Sequence, residues 1–299
     1  MVRHLVVLFS LVINLSTSSL IRAKEKDAQS INECKSLLNG KHRPWINGRR
    51  LSEYYDLLGP GFMFHLSRLN EEHLWIDMGC GSGTAIKDYY GFYSPMITRK
   101  RQMPVWPWAS LGIWTNYFAS KLVSPKKKAR TMAFDRELDI SHWEELYETL
   151  EPWQQDLYHK VTFVPGFLLE DYDIEDEILL QTGKADIITD VFGVMSYTYQ
   201  PDLILRKYID SLSDHGKAYI LAFDTTIGNN HIVIKQDGRK VNLKRWMKEI
   251  PGLKVKNLNF WNSISISKPN SSIVIPKLKL IYYNKRKLPP RRTFIEVGP

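Results

Sequence analysis

Cysteine is nearly absent from this chain. Its two cysteines, Cys34 and Cys80, leave no material for a disulfide framework or a cysteine-built metal centre. No uninterrupted apolar run reaches the ~20 residues that a membrane-spanning helix needs. Internal repeats and low-complexity tracts are missing too, which removes solenoids and disordered chains from consideration. No Lys-Ser/Thr pair follows any glycine cluster, so a phosphate-binding loop of the nucleotide triphosphatase type is excluded.

What remains is an ordinary globular composition, with 43% hydrophobic and 24% charged residues over 299 positions. The formal net charge is +9, which favours anionic surfaces as partners without naming one. Its basic clusters are Arg99-Lys100-Arg101, Lys126-Lys127-Lys128 with Arg130, and Lys285-Arg286-Lys287 with Arg291-Arg292. The first residues follow the three-part pattern of a secretory signal: a basic head at 1–4, an apolar stretch at 5–15, and small polar residues closing at Ala23. An exported protein is expected, with a retained membrane anchor as the alternative. Residues 24–50 read as an N-terminal arm, 51–284 as one α/β domain, and 285–299 as a basic tail.

The most informative segment is Leu74-Trp75-Ile76-Asp77-Met78-Gly79-Cys80-Gly81-Ser82-Gly83-Thr84. A short apolar strand ends in an acid, three glycines follow at every second position, and helix-compatible residues begin at Thr84. Glycines there let the backbone turn sharply and lie against a ligand, and the following helix aims its free N–H groups at the same place. Downstream, strands are expected at 130–135, 161–164, 185–189 and 217–223, with helices at 141–150, 202–212 and 243–249. The 141–150 helix is read as opening on a Ser141–Glu144 capping box. Two closing strands are read at 253–260 and 273–283. Leu51 to Leu69 suggests two short helices broken at Gly59-Pro60-Gly61. This alternation predicts a doubly wound, Rossmann-like, mostly parallel seven-stranded sheet with an antiparallel C-terminal strand.

The glycine spacing departs from the dinucleotide fingerprint, which would place its third glycine where Thr84 stands. Ile76-Asp77-Met78-Gly79-Cys80-Gly81-Ser82-Gly83 instead resembles the first motif of the class I S-adenosylmethionine-dependent methyltransferases, and the element order agrees over roughly residues 50–284. The resemblance implies S-adenosyl-L-methionine as cofactor. It implies that Gly79, Gly81 and Gly83 lie against the methionine part and that Asp77 helps to hold its amino end. Asp135 would take the two ribose hydroxyls, Phe167 in Val164-Pro165-Gly166-Phe167 would reach the adenine, and Asp190 would stand beside the methyl group. Tyr54 and Tyr55 fall where an N-terminal helix often covers the cofactor.

Methyltransferases acting on adenine or glutamine nitrogen carry an Asn- or Asp-Pro-Pro-aromatic run after the fourth strand, and this chain has Asp190-Val191-Phe192-Gly193. No catalytic residue is assigned. His142 and His231 read as surface or packing histidines, while Tyr197 and Tyr199 are candidates for an acceptor pocket. The surplus between Asp77 and Asp135 is an aromatic insertion at 90–125, carrying Trp106, Trp108, Trp114, Tyr117 and Phe118 between two basic clusters. It reads as core-extending helix, or as a lid or interfacial helix meeting an anionic membrane surface and an apolar or lipid-like acceptor. No nucleic-acid partner and no metal are expected, and the methyl acceptor is unassigned. Two rivals stand beside the methyltransferase: an exported, non-catalytic binding protein on the same scaffold, and an aminopropyl transferase.

Overall fold

The computed structural model describes residues 48–92, 128–135, 138–165, 183–222, 231–258, 263–284 and 291–298, all within one unit spanning Ile46–Pro299. The signal-like segment, most of the arm, the Trp-rich insertion and Phe167 lie outside the described residues.

The main sheet is built on β1 (Leu74–Met78), β2 (Arg130–Asp135), β3 (Val161–Pro165), β4 (Ala185–Val191), β5 (Leu212–Leu221), β8 (Lys254–Asn257) and β9 (Ile264–Ser267). Their order is β3-β2-β1-β4-β5-β9-β8, with β1 to β5 parallel and β9 antiparallel to both its neighbours. This is the expected doubly wound, mostly parallel seven-stranded sheet. Strand order reverses at β1, whose carboxyl end is therefore the crevice where such sheets take ligands.

Both faces of the sheet are covered, which is why its central strands are continuous apolar runs. Alternate side chains go to opposite cores. Leu74, Ile76 and Met78 join Ile188, Ile220 and residues of helices Pro201–Ser211 and Leu243–Lys248. Trp75, Ile187 and Tyr219 join the N-terminal helices Leu51–Leu58 and Pro60–Ser67, helix Thr84–Tyr90, and Trp143 of helix Ile140–Glu148. The two N-terminal helices meet at Gly59, with Pro60 in the first turn of the second, where its missing N–H costs nothing.

Several boundaries differ from expectation for local reasons. Asp77 does not end β1; the strand runs on through Met78 and buries the acid. The Ser141–Glu144 capping box does not form, because the helix starts one residue earlier at Ile140 and Ser141 Oγ donates to Asp139 (2.5 Å). Residues 273–283 do not close the main sheet. That place is taken by β9, whose Ile-Ser-Ile-Ser alternation buries its isoleucines against the core.

Instead β10 (Leu278–Asn284) joins a second, four-stranded sheet with β11 (Arg291–Glu296), β6 (His231–Ile234) and β7 (Lys240–Asn242), in the order β10-β11-β6-β7. Residues 291–296, expected in a basic tail, are thus a strand. Phe294 on β11 is fully buried in the same core as Val233 on β6 and Trp246.

Candidate functional site

The site forms where β1, β2 and β4 end side by side. Gly79 leaves β1 with φ +79, and Gly81 and Gly83 are also left-handed, at +59 and +68. The N–H groups of Gly79 and Cys80 both donate to Phe134 O on β2, at 2.7 and 3.3 Å. Gly79 is irreplaceable for two separate reasons. Its φ disfavours any side chain, and a Cβ there would stand 2.4 Å from the Cα of Gly193. The fit is reciprocal, since a Cβ on Gly193 would stand 2.0 Å from Met78 O. The loops following β1 and β4 therefore touch backbone to backbone.

Asp135 closes β2 as expected and faces the loop, where one carboxylate oxygen accepts from Gly81 N–H at 2.8 Å. Asp77 has no exposed surface. Its oxygens accept from Tyr54 Oη (3.0 Å to each) and from Thr189 Oγ1 (2.7 Å), so one N-terminal helix and β4 both hold it. Burial pushes its carboxyl up to about 7 against these stabilising hydrogen bonds.

Asp190 is likewise sealed, and its oxygens serve the chain itself. It accepts from Gly193 N (2.9 Å), Met195 N (2.8 Å) and Tyr208 Oη (2.6 Å), which fixes the turn into helix Val194–Tyr197. Burial raises it to about 6. Tyr54 thus belongs to the site through Asp77, whereas Tyr55 is half-buried beside it.

Two arginines escape a reading of the sequence. Arg49, two residues before helix Leu51–Leu58, donates through Nη2 to Val191 O and lies 5.5 Å from the centre of the Phe192 ring. Its Nε is buried with no hydrogen-bond partner among the described residues. Its positive charge favours the ionised forms of Asp77, Asp190 and Tyr197, which places it among them. Phe192 itself is held at φ 52, the one left-handed non-glycine residue among those described, and strained positions of this kind gather at functional sites. Just before Arg49, a Cβ on Gly48 would lie 2.7 Å from Ser82 Oγ and Thr84 Oγ1, so the chain crosses tightly over the glycine loop.

Arg292 comes from the second sheet and is fully buried. It donates to Ser196 O (2.7 Å) and Tyr197 O (2.9 Å), the last carbonyls of helix Val194–Tyr197, and contacts His231 Nε2 at 2.9 Å. Cations satisfy helix C-terminal carbonyls well. His231 is therefore a packing partner of Arg292, as its sequence context suggests. His142 is exposed on its helix, near Glu145. Tyr199 is buried and Tyr197 half-buried, beside this turn. Among the described residues no group of three or more His, Cys, Asp or Glu side chains is placed to hold a metal ion.

Fold and loop together define a doubly wound α/β protein with a glycine-rich turn at its topological switch point. No protein-family model and no curated protein matches the chain. Solved structures similar to it include a precorrin-6y C5,15-methyltransferase from Geobacter metallireducens, at 14% identity over 69% of this chain and 86% of that one, with a TM-score of 0.31. A putative class I S-adenosylmethionine-dependent methyltransferase from Listeria monocytogenes shares 12% identity over 80% and 67%, TM-score 0.37. An rRNA methyltransferase from Streptomyces viridochromogenes shares 12% over 70% and 81%, TM-score 0.30. What each of them acts on belongs to that protein; the chemistry of this chain is read from its own residues.

Proposed function

We propose that this protein is an S-adenosylmethionine-dependent methyltransferase. The observation that carries the reading is the convergence of the Gly79–Gly83 loop, Asp135 and Arg49 at the carboxyl ends of β1, β2 and β4. The residues fit the donor's three parts. The three left-handed glycines fold the loop so that backbone rather than side chains would meet the methionine portion, and the buried, unpartnered Nε of Arg49 suits the α-carboxylate. Asp135 offers a carboxylate for the vicinal ribose hydroxyls. Asp77 acts at one remove, anchoring Tyr54 and Thr189 around the loop.

Bound there, S-adenosylmethionine supplies a methyl group activated by a sulfonium leaving group. The protein's part is to hold donor and acceptor in line, since positioning alone accounts for much of the rate of such a displacement. The turn fixed by Asp190 and Arg292 forms the neighbouring wall, with Tyr197 and Tyr199 on it. No general base is assigned, and none is required for an acceptor that reaches the site already deprotonated or with a free lone pair. An apolar or lipid-like acceptor is the reading favoured by the Trp106–Phe118 stretch of the sequence.

A second reading keeps the scaffold without catalysis, as an exported binding protein, and is favoured by the signal-like first 23 residues. Calorimetric titration of the full chain with S-adenosylmethionine and S-adenosylhomocysteine separates the two. Micromolar binding, weakened at least about tenfold by Asp135→Ala and by Arg49→Gln through loss of charged hydrogen bonds, supports the donor site. Absence of heat with either ligand refutes it.

A further inference from the structure

The charge of this chain is divided unevenly. Residues 231–299 carry 16 Lys and Arg against three acids, Asp237, Glu249 and Glu296, a formal excess of 13. The whole chain is only +9, so the first 230 residues are net negative by 4. Such asymmetry marks a segment meant for an anionic partner.

Two of the three acids are already occupied. Glu249 takes ion pairs from Lys235 and Arg245, and Asp237 pairs with Arg239. The third, Glu296, is only partly exposed, with one carboxylate oxygen buried.

The outer side of the β10–β11 pair collects what is left. Leu278 and Leu280 turn inward to the core, so Lys277, Lys279 and Ile281 alternate outward. A register shift between Leu280 and Tyr282 then turns two consecutive residues to solvent, leaving Ile281 51% and Tyr282 50% exposed. Val297 lies alongside, where its N–H donates to Lys277 O at 2.9 Å, and Val274 is exposed just upstream. Four of the five large exposed apolar side chains among the described residues, all but Phe64, thus stand on or beside one edge strand, among lysines and with no exposed acid.

We propose that this outer face of β10 and β11 docks the protein on a bilayer surface containing anionic lipids. Lysines beside aliphatic and aromatic groups suit the headgroup boundary. The stems and rings enter the apolar layer while each ammonium meets a phosphate. Nucleic acid would use the lysines and Tyr282 but offers no apolar layer to Ile281, Val274 and Val297. Strand addition by a second copy is opposed by the lysines at 277 and 279 and by the bulge, devices that block edge pairing. Among the described residues no helix is long and apolar enough to cross a membrane.

The test is sedimentation of the full chain with phosphatidylcholine vesicles, with and without phosphatidylglycerol, at low and raised salt. Binding is expected only with phosphatidylglycerol and is expected to fall as salt rises. Lys277→Glu with Lys279→Glu should abolish it, and Ile281→Ser with Tyr282→Ser should weaken it about tenfold or more. All four side chains are solvent-facing, so thermal melts of both variants should match the parent, separating docking from folding. Binding of both variants at the parent level, or no binding by the parent, overturns the proposal. So does tight binding of single-stranded RNA that is lost in the lysine variant but unchanged in the Ile281/Tyr282 variant, or a dimer that the same substitutions dissolve.

Discussion

Asp77 is a carboxylate held in a place that opposes its charge, and replacing it with asparagine isolates that cost. Burial lifts its carboxyl from an ordinary 3.8 to about 7. Above that pH the folded protein carries a sealed anion whose ionisation is disfavoured, relative to the unfolded chain, by about 4 kcal/mol at ~1.4 kcal/mol per pH unit. The sign follows from proton counts. Below pH 3.8 the folded and unfolded states both hold the proton, and this contribution to stability is fully present. Between 3.8 and about 7 the unfolded chain releases its proton first, so stability declines as pH rises, then levels off.

An asparagine at this position would have the same size and no charge, but one acceptor oxygen in place of two for the hydroxyls of Tyr54 and Thr189. That mismatch costs about 1 kcal/mol. The Asp77→Asn protein should therefore be more stable than its parent by roughly 2–3 kcal/mol near pH 8, or roughly 4–12 °C in Tm, and should lose this advantage towards pH 4. Urea unfolding followed by tryptophan fluorescence across that range measures both. Parallel pH profiles for the two proteins, or a variant weaker than the parent at pH 8, would refute the reasoning.

Two further substitutions test the walls of the site. Gly193→Ala forces a Cβ to within 2.0 Å of Met78 O. We expect about 3 kcal/mol or more in chemical denaturation, or an insoluble product; an alanine variant as stable as the parent would show that the two loops do not touch. Arg292→Met removes the charged donors to Ser196 O and Tyr197 O and should cost about 2–4 kcal/mol. Amide exchange should rise at residues 194–199 ahead of the rest of the chain, and uniform exchange would count against a local role.

The first strand, glycine loop and Asp135 were legible because each has a local signature: an apolar run fully buried on both faces, a forced turn, and an acid at a strand's end. The parallel strands through β5 were legible for the same reason. β8 falls within the closing strand read at 253–260, although Lys-Val-Lys-Asn is largely exposed at the sheet edge. What escaped depends on distant partners. β9 did have a readable signal, the alternation of Ile264 and Ile266 with serines, but its four residues are easily overlooked. Arg292 sits in a run of basic residues that reads as a solvated tail, and only the pairing of β11 with β6 carries it into the core. Arg49 owes its place to the chain's crossing over the loop, which no spacing along the sequence encodes. Asp190 was read as ending its strand, but β4 runs on through Val191, and the three hydrogen bonds from Gly193, Met195 and Tyr208 direct the acid to the chain rather than to open space.

The contact between Gly79 and Gly193 has a mechanical consequence. With no side chain between them, the segment proposed to cradle the donor and the segment proposed to face the acceptor share one rigid bearing, with no compressible layer to absorb motion. Neither can be reshaped alone. An insertion or enlarged residue after β4, introduced to admit a different acceptor, would displace the turn after β1 and be felt first as a change in donor affinity. Altering the proposed acceptor wall and altering the proposed donor cradle are thus one engineering problem, joined at a single pair of hydrogens.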